Sequence, residues 1–494
     1  MNILLVYPEY PDTFWSFKTA LKFIAKKAAH PPLGLLTVAA MLPEEWNKKV
    51  IDMNIAPLKE KDLIWADYVF ISAMVVQKAS VQAIIGRCKD HKVKVVAGGP
   101  LFSDAHEDFA NIDHLVLNEA EITLPQFLAD VRNGRAKHVY HASGQFPELD
   151  KTPLPRWDLI DMSKYASMSI QYSRGCPFNC EFCNITSLFG RRVRTKTKDQ
   201  MLAELDNLYV KGWRGDVFIV DDNFIGNKLK LKNEILPAMM TWMKARKYPF
   251  LFTTESSINL ADDDALLRLM TQAGFYSVFV GIETPDETSL TECNKFQNKN
   301  RNLIDSVEKI QKAGLEVTAG FIVGFDSDSP SIFKRQVEFI KNSRIVTAMV
   351  GLLNAPKNTA LYHRLKNENR LLNDISGSNT DFSLNFIPKM DAASLVAGYR
   401  KIIKEIYSVK PYYARIRAYL NNIRRVKRRA VRINISHIKA LLASMVVLGI
   451  KDRGRFYFWR LFFTSMFRQG QFPIAITYSI YGYHFRRVFA DCMY

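Results

Sequence analysis

Short apolar runs alternate with segments of helical period twice along this chain, and that repetition leaves few architectures open. Over residues 1–145 the runs NILLVY (2–7), KVIDM (49–53), YVFISA (68–73), VKVVAGG (93–99) and HLVLN (114–118) are separated by periodic segments at 33–42, 81–88 and 122–131. Strands and helices in alternation predict an open parallel sheet, an α/β fold of Rossmann-like type. Ligands of such sheets lie beyond the carboxyl ends of the strands. Those ends carry Tyr7, Asp52, Ser72, the turn Gly98-Gly99-Pro100 and Asn118-Glu119. A glycine pair lets the backbone approach a ligand closely, or simply makes a turn. No GxGxxG stands in this region, which argues against a standard nicotinamide dinucleotide site.

The alternation resumes with longer helices over 166–355. Strands are predicted at 168–173, 217–222, 250–255, 278–283, 316–324 and 347–353, with helices such as 198–211 and 303–313 between them. Six such units in series predict a partial (β/α)6 barrel, placed at 166–370, with functional residues at the strand carboxyl ends. There stand Asp221, Asp222, Glu255, Glu283 and Gly324. Between the blocks, residues 146–165 hold three prolines and no clear period. They read as a linker lying extended across the surface.

Residues 371–494 are different material: helical, basic and aromatic. From Leu395 onward, 20 Lys and Arg face three acids, so this last stretch carries almost all of the chain's net charge of +19. Nucleic acid and an anionic membrane surface are the two partners that suit such a patch. No run reaches the ~18 apolar residues needed to span a bilayer. The best candidate, Ala440 to Ile450, is bounded by Lys439 and Lys451. The first residues lack the basic segment of a secretory signal, so none is expected.

Three of the six cysteines crowd into Cys176-Pro-Phe-Asn-Cys180-Glu-Phe-Cys183, directly after the first predicted barrel strand. Such crowding in a Cys-poor chain reads as metal ligation in a reducing compartment. Three thiolates on one loop can hold three irons of a [4Fe–4S] cube and leave the fourth open. A structural zinc site normally takes four protein ligands, and no fourth Cys or His lies near. The triplet, its position and Phe182 before the last Cys resemble the radical S-adenosylmethionine superfamily. That resemblance implies Cys176, Cys180 and Cys183 as cluster ligands and S-adenosylmethionine on the open iron, cleaved by an electron from an external donor. It also implies Asp222 near the methionyl amine, Glu283 at the ribose and Gly324 in the segment that contacts adenine. Glu255 is assigned a further methionyl or substrate contact. Each of these acids also has a plain reading, such as a helix N-cap at Asp222.

An α/β domain ahead of such a barrel resembles the cobalamin-dependent branch of the superfamily. Pro31-Pro32-Leu33-Gly34-Leu35, Gly98-Gly99-Pro100 and Asn118-Glu119-Ala120-Glu121 are similar to segments of its cobalamin-binding domains. The last normally reads Gly-Glu-Gly-Glu, so two glycines are replaced here. The resemblance places cobalamin near Ser72, Gly98, Gly99, Pro100 and Glu119, with no Asp-x-His-x-x-Gly motif to supply a lower cobalt ligand. It implies methyl transfer by way of cobalamin to a carbon activated by a 5′-deoxyadenosyl radical.

Over nearly its whole length the order MNILLVYPEY, GCPFNCEFC, VDDNFIGN, GIETP and IYGYHFRRVF looks most like the hopanoid C-2 methylase group. The expected function is therefore methylation of an unactivated carbon in a hopanoid-like lipid. The alternatives are ring or carbon–carbon bond formation without methyl transfer, and modification of RNA or peptide. The expected location is the cytoplasm, peripheral on the inner face of the membrane. Attachment would run through the amphipathic face Ile416, Leu420, Ile423 and Val426, the arginines Arg424, Arg425, Arg428 and Arg429, and the aromatic run from Phe456 to Phe463. Nucleic acid is the weaker expectation, since the tail has no glycine-rich or zinc-knuckle module. The plain reading of the tail is a basic helical cap that packs its aromatics on the barrel.

Overall fold

The computed structural model describes residues 1–142, 144–378, 380–422, 435–468 and 470–493. The first block forms a parallel sheet of β1 (Asn2–Tyr7), β2 (Asn47–Asp52), β3 (Tyr68–Ser72), β4 (Lys94–Gly98), β5 (His114–Val116) and β6 (Val139–Tyr140). Their order is β2-β1-β3-β4-β5-β6. The two-residue β6 is too short to show an alternation and was not expected from sequence. The chain runs outward from β1 to β2 and then returns past it to β3, so the winding reverses between β1 and β3. A crevice opens at such a point beyond the strand ends, here Tyr7 and Ser72.

The second block gives β7 (Met168–Ile170), a two-stranded antiparallel ribbon of β8 (Ser173–Arg174) and β9 (Arg194–Thr195), then β10 (Gly215–Ile219), β11 (Phe250–Ser256), β12 (Phe275–Glu283), β13 (Glu316–Val323) and β14 (Ala348–Leu352). The six parallel strands lie in sequence order, β7-β10-β11-β12-β13-β14, as an open six-stranded barrel. Along them a buried side chain alternates with a partly accessible one. Val217, Ile219, Phe252, Val278, Val280, Val317 and Ala319 are buried in the core beneath the helices. Phe218, Thr253, Glu255, Phe279, Ile322 and Met349 are partly accessible, as inward-facing residues of a hollow lumen are.

The stretch 146–165 does not lie extended across the surface. It forms three short turns, Leu149–Lys151, Trp157–Leu159 and Met162–Lys164. Trp157 and Tyr165 are each only 1% exposed, and the Tyr165 hydroxyl donates to Asp52 at 2.9 Å. Two bulky aromatics gain more by burial than the prolines lose by leaving an extended path.

The tail is largely a cap. The helix Ala392–Tyr407 covers β14, the edge strand of the barrel, where the Tyr407 hydroxyl donates to the Ala348 carbonyl and Tyr399 to that of Val350 at 3.0 Å. A covered edge cannot pair with another chain. Ile416 and Leu420 of the helix Val409–Asn422 are buried, so that face belongs to the interior. Ile423, Val426 and the four arginines Arg424, Arg425, Arg428 and Arg429 lie outside the described residues. The helix Gln471–Val488 returns to the chain's start: Phe485 stacks on Phe14 at 4.2 Å and His484 Nε2 meets the Phe14 carbonyl at 3.1 Å. Next to them the Trp15 ring stands edge-on to Phe279, 5.5 Å away. Tyr481 on this helix has its hydroxyl pKa raised by burial, then by the charges of Glu316 and Asp216, residues at the amino ends of β13 and β10. The first and last segments thus meet at the amino end of the barrel. Among the described residues, no helix is long and apolar enough to cross a membrane.

Candidate active site

The cysteine loop begins where β7 ends. Asp221, fully buried, accepts the Tyr172 N–H at 2.7 Å and the Ser173 hydroxyl at 2.6 Å. These bonds draw the chain out of the sheet after Ile170, which is why the predicted strand 168–173 splits. Gly175 follows with φ +88°, and a Cβ there would lie 2.6 Å from the Arg192 carbonyl oxygen. Only glycine fits such a turn at such an approach. Cys176 N–H then donates to the Gly190 carbonyl, and Cys183 N–H to that of Cys180. Glu181 anchors the far side: its carboxylate takes Arg364 Nε at 2.6 Å, and its N–H donates to the Cys293 carbonyl.

Cys176, Cys180 and Cys183 are all partly accessible thiols. Burial raises the pKa of Cys176 and pushes that of Cys183 up to about 12. Among the described residues, no three His, Cys, Asp or Glu side chains converge on one point as a single metal ion would require. Three free, partly accessible thiols on one short loop are the donor set of a cluster with one open iron, so the residues present fit that group.

Lys295 was missed by sequence reasoning. Its ammonium bonds Glu283 Oε1 at 2.7 Å; burial opposes its charge, but Glu283 and then the Cys180 and Cys183 sulfurs raise its pKa. Gln297 is the second omission. Its Nε2 donates to Cys180 Sγ at 3.8 Å, while its Oε1 is buried with no hydrogen-bond partner among the described residues. A buried acceptor without a donor marks a place for a bound group. Neither side chain stands in a motif; both reach the site from the loop after the helix Glu287–Glu292.

Around the same space stand carboxylates whose pKa burial raises. Asp222 and Asp221 are pushed up to about 7, and Glu255 to about 8 by burial and then by the charges of Asp222 and Asp221. Asp222 is not a helix cap: the turn that follows is Phe224–Asn227, with Asn223 at its N-cap position. Glu283 is buried at φ +62° and occupied by Lys295. Gly324, at φ +110°, gives its N–H to Asp328 at 2.8 Å and has its Cα side against Leu395. The geometry thus gathers the cysteines, Asp222, Glu255 and Glu283 into one neighbourhood and engages Gly324 in a turn.

At the first sheet, Gly98 and Gly99 are needed by the fold itself. A Cβ on Gly98 would lie 2.7 Å from the Val116 carbonyl oxygen, and one on Gly99 (φ +89°) 2.8 Å from Ser72 Oγ. Pro100 starts the helix Pro100–Ala105. Asp104 on that helix accepts from Asn184 Nδ2, just after Cys183, at 3.1 Å, so the first sheet and the cysteine loop are held together. Asn118, standing where the resembling segment has glycine, adopts φ +64°, a conformation asparagine tolerates.

Glu119 is occupied by a different partner from the one expected of it. Its carboxylate takes Arg194 through two bonds, at 2.7 and 2.9 Å, and Arg174 at 2.6 Å. Arg174 is shared with Glu121 at 2.9 Å. These side chains form a buried clasp between the first domain and the ribbon that flanks the cysteines. The pairs are 55 and 75 residues apart in sequence, so no local pattern announces them.

Residues 25–128 match the model of a B12 binding domain, residues 170–340 that of the radical SAM superfamily, and residues 359–493 a domain of unknown function. A Synechocystis protein named an uncharacterized methyltransferase is 43% identical over 464 residues, covering 93% of this chain and 86% of that one. The hopanoid C-2 methylase of Rhodopseudomonas palustris is 34% identical over 481 residues, covering 94% and 90%. The fold is similar to the radical S-adenosylmethionine methyltransferase TsrM from Kitasatospora setae, solved with cobalamin and a [4Fe-4S] cluster, with a TM-score of 0.61, 15% identity and 99% of each chain covered. It is also similar to the cobalamin-dependent radical enzyme OxsB, with a TM-score of 0.61, 15% identity and coverage of 99% of this chain and 80% of that one. With an N-terminal cobalamin domain, a radical barrel and relatives that are methyltransferases across almost the entire chain, this protein belongs to the cobalamin-dependent radical S-adenosylmethionine methyltransferases, which use a [4Fe-4S] cluster, S-adenosylmethionine and cobalamin.

Proposed function

We propose that this enzyme methylates an sp³ carbon of a hopanoid-like lipid, held in the barrel lumen, while attached to the inner face of a membrane and served by an external electron donor. The observation that carries the reading is the lumen wall. Phe218, Leu251, Phe279, Ile322 and Met349 are partly accessible on the barrel strands, with Trp15 beside Phe279. A wall mostly of apolar side chains, with Thr253 and Glu255 as polar members, suits a largely apolar ring system. The hopanoid C-2 methylase relative adds support for that substrate class.

Cys176, Cys180 and Cys183 would hold the cluster, which supplies the electron for reductive cleavage of S-adenosylmethionine. Lys295 places a positive charge beside the thiolates and offsets part of theirs. In the cofactor-free protein Asp222, about half protonated at pH 7, and Glu255, mostly protonated, would ionise fully when a cationic ligand enters and so bind its ammonium or sulfonium. Gln297 Oε1 offers an acceptor to the same ligand. In the first domain Ser72, Gly98, Gly99 and Pro100 would form the rim on which cobalamin rests. Glu119 would act by fixing the angle of that domain on the ribbon. Burying the site between two domains excludes water from reactive groups.

The test is lipid profiling by mass spectrometry of a strain lacking this gene, and of that strain complemented with the wild type or the triple cysteine variant. Loss of a lipid one methylene heavier than its partner, restored only by the wild type, supports the reading. An unchanged lipid profile overturns the substrate class.

A further inference from the structure

The cap of helices at the chain's end has two faces, and only one is explained by the barrel. On the helix Ile435–Val446 and the π-turn Val447–Lys451 that continues it, Ala440, Ser444 and Leu448 are buried. Ile438, Leu442, Val446 and Ile450 are exposed on the other side, from 46% to 64%. They recur every four residues and so form one stripe. A helix that is apolar all round belongs in a core or in lipid.

A second exposed row lies on the helix Arg455–Met466 and its end. Phe456 is 74% exposed, Phe463 57% and Phe467 84%. At 3.6 residues per turn these three share a sector of about 100° with Arg460 and Thr464, so aromatic and cationic side chains interleave. The rows meet where Trp459 Nε1 donates to the Gly449 carbonyl at 2.9 Å and its ring stacks on Phe463. Beside them is a cavity of about 200 Å³ whose lining includes Arg417, Arg460, Arg468, Asn421 and Thr464. Among the described residues, no carboxylate pairs with those three arginines.

We infer that these two rows form a membrane-docking face for an anionic bilayer, with Phe456, Phe463, Phe467 and the Ile438–Ile450 stripe entering the acyl boundary and Arg417, Arg460 and Arg468 taking a lipid phosphate. Charge decides the occupant. Glu405 is paired with Lys341 and Asp452 is buried on Arg486, so neither supplies an anion to this face. Lys439, Lys451, Arg455 and Arg460 are exposed along it. A second copy of such a face would be repelled, whereas anionic headgroups are attracted. The stripe is also too short to span the ~30 Å hydrocarbon core, so it lies in the plane of the surface. This deepens the membrane reading above, and rests on it, by naming a docking face within the described residues.

The experiment uses the purified, cofactor-loaded full chain with vesicles of phosphatidylcholine alone or with one third phosphatidylglycerol, read by co-sedimentation. The anionic vesicles should bind at least tenfold more tightly, with affinity falling as salt rises. L442Q/I450Q/F463S/F467S should weaken binding to them at least tenfold. R417Q/R460Q/R468Q should remove the preference for anionic vesicles. Iron and cobalamin content and the elution volume should match the wild type, which separates loss of docking from misfolding. Two milder pairs, L442Q/I450Q and F463S/F467S, give intermediate losses if the fourfold variant does not fold. Equal binding of wild type to both vesicles, or variants that bind as well as wild type, overturns the proposal. So does a wild-type dimer that the apolar substitutions split, since the face would then belong to a second copy. Methylation of detergent-dispersed lipid is scored separately: its absence with docking intact counts against the substrate class and leaves this face standing.

Discussion

Replacing Glu119 by glutamine tests whether this carboxylate holds two domains together or holds a cofactor. The substitution keeps the size of the side chain and removes its charge. Arg174 retains Glu121, at 2.9 and 3.0 Å, and so keeps a counter-charge. Arg194 retains the Pro147 and Phe189 carbonyls, at 2.7 and 2.9 Å, and the Phe146 ring at 5.1 Å, and is 4% exposed. Its two terminal nitrogens keep these neutral acceptors, its buried Nε has none among the described residues, and its charge is left without a counter-charge. Breaking a buried pair in this way costs about 3–5 kcal/mol. The two retained carbonyls place the expectation at the lower end, about 3 kcal/mol, or roughly a hundredfold in the opening equilibrium of the ribbon. Hydrogen–deuterium exchange on cofactor-free protein reads this directly in peptides covering 173–196 and 115–128, since unfolding of the whole chain would mix several domains. Glu119→Gln should speed exchange there about a hundredfold. Adding Arg194→Met should recover at least tenfold, because the pair is then neutral. Exchange at the wild-type rate in the cofactor-free variant, together with lost cobalamin in the loaded one, would refute the clasp and return Glu119 to the cofactor.

Three further outcomes follow from the same geometry. Replacing Cys176, Cys180 and Cys183 by alanine should abolish iron binding after anaerobic reconstitution and the release of 5′-deoxyadenosine, while single replacement of Cys88 or Cys293, both buried and outside the loop, should leave both unchanged. Asp221 and Asp222, raised to about 7, and Glu255, raised to about 8, hold protons that the unfolded chain has already released. The stability they contribute to the cofactor-free protein is complete below about pH 4 and is lost as pH rises to about 8. Thermal melts should show that loss, and Asp222→Asn should flatten it and weaken binding of S-adenosylmethionine at least tenfold by calorimetry. Gly99→Val forces a branched residue to φ +89° with its Cβ 2.8 Å from Ser72 Oγ. The strain costs about 1–3 kcal/mol, so cobalamin content should fall while iron stays; full cobalamin in this variant would show that the rim lies elsewhere.

The two sheets were legible because each strand carries its own evidence. A run such as NILLVY is buried along its length, and its neighbours in sequence say so. The cysteine loop was legible for the same reason, as its chemistry sits within eight consecutive positions. What escaped is what depends on distant partners. Lys295 finds Glu283, and Arg194 finds Glu119, only after the strands between them are placed. Residues 146–165 looked like a surface linker because proline marks a break in helix, whereas the burial of Trp157 and Tyr165 is set by the surfaces waiting on either side. The tail's aromatics could not be sorted from sequence either. Phe458 and Phe462 point into the core and Phe456 and Phe463 out of it, a division made by the neighbouring helices.

The stacking of Phe14 on Phe485 sets an order of assembly during synthesis. A ribosome adding about 5–20 residues per second takes roughly half a minute to a minute and a half to travel from one to the other. The first sheet has its strands in hand long before that. The pair Phe14 and Phe17 does not, because its seat is completed by the helix Gln471–Val488 near the chain's end. For that interval the Phe14 and Phe17 rings near the amino terminus remain available to other chains. A nascent chain stalled before residue 471 should therefore be held by chaperones at its beginning, although its growing end is what is missing.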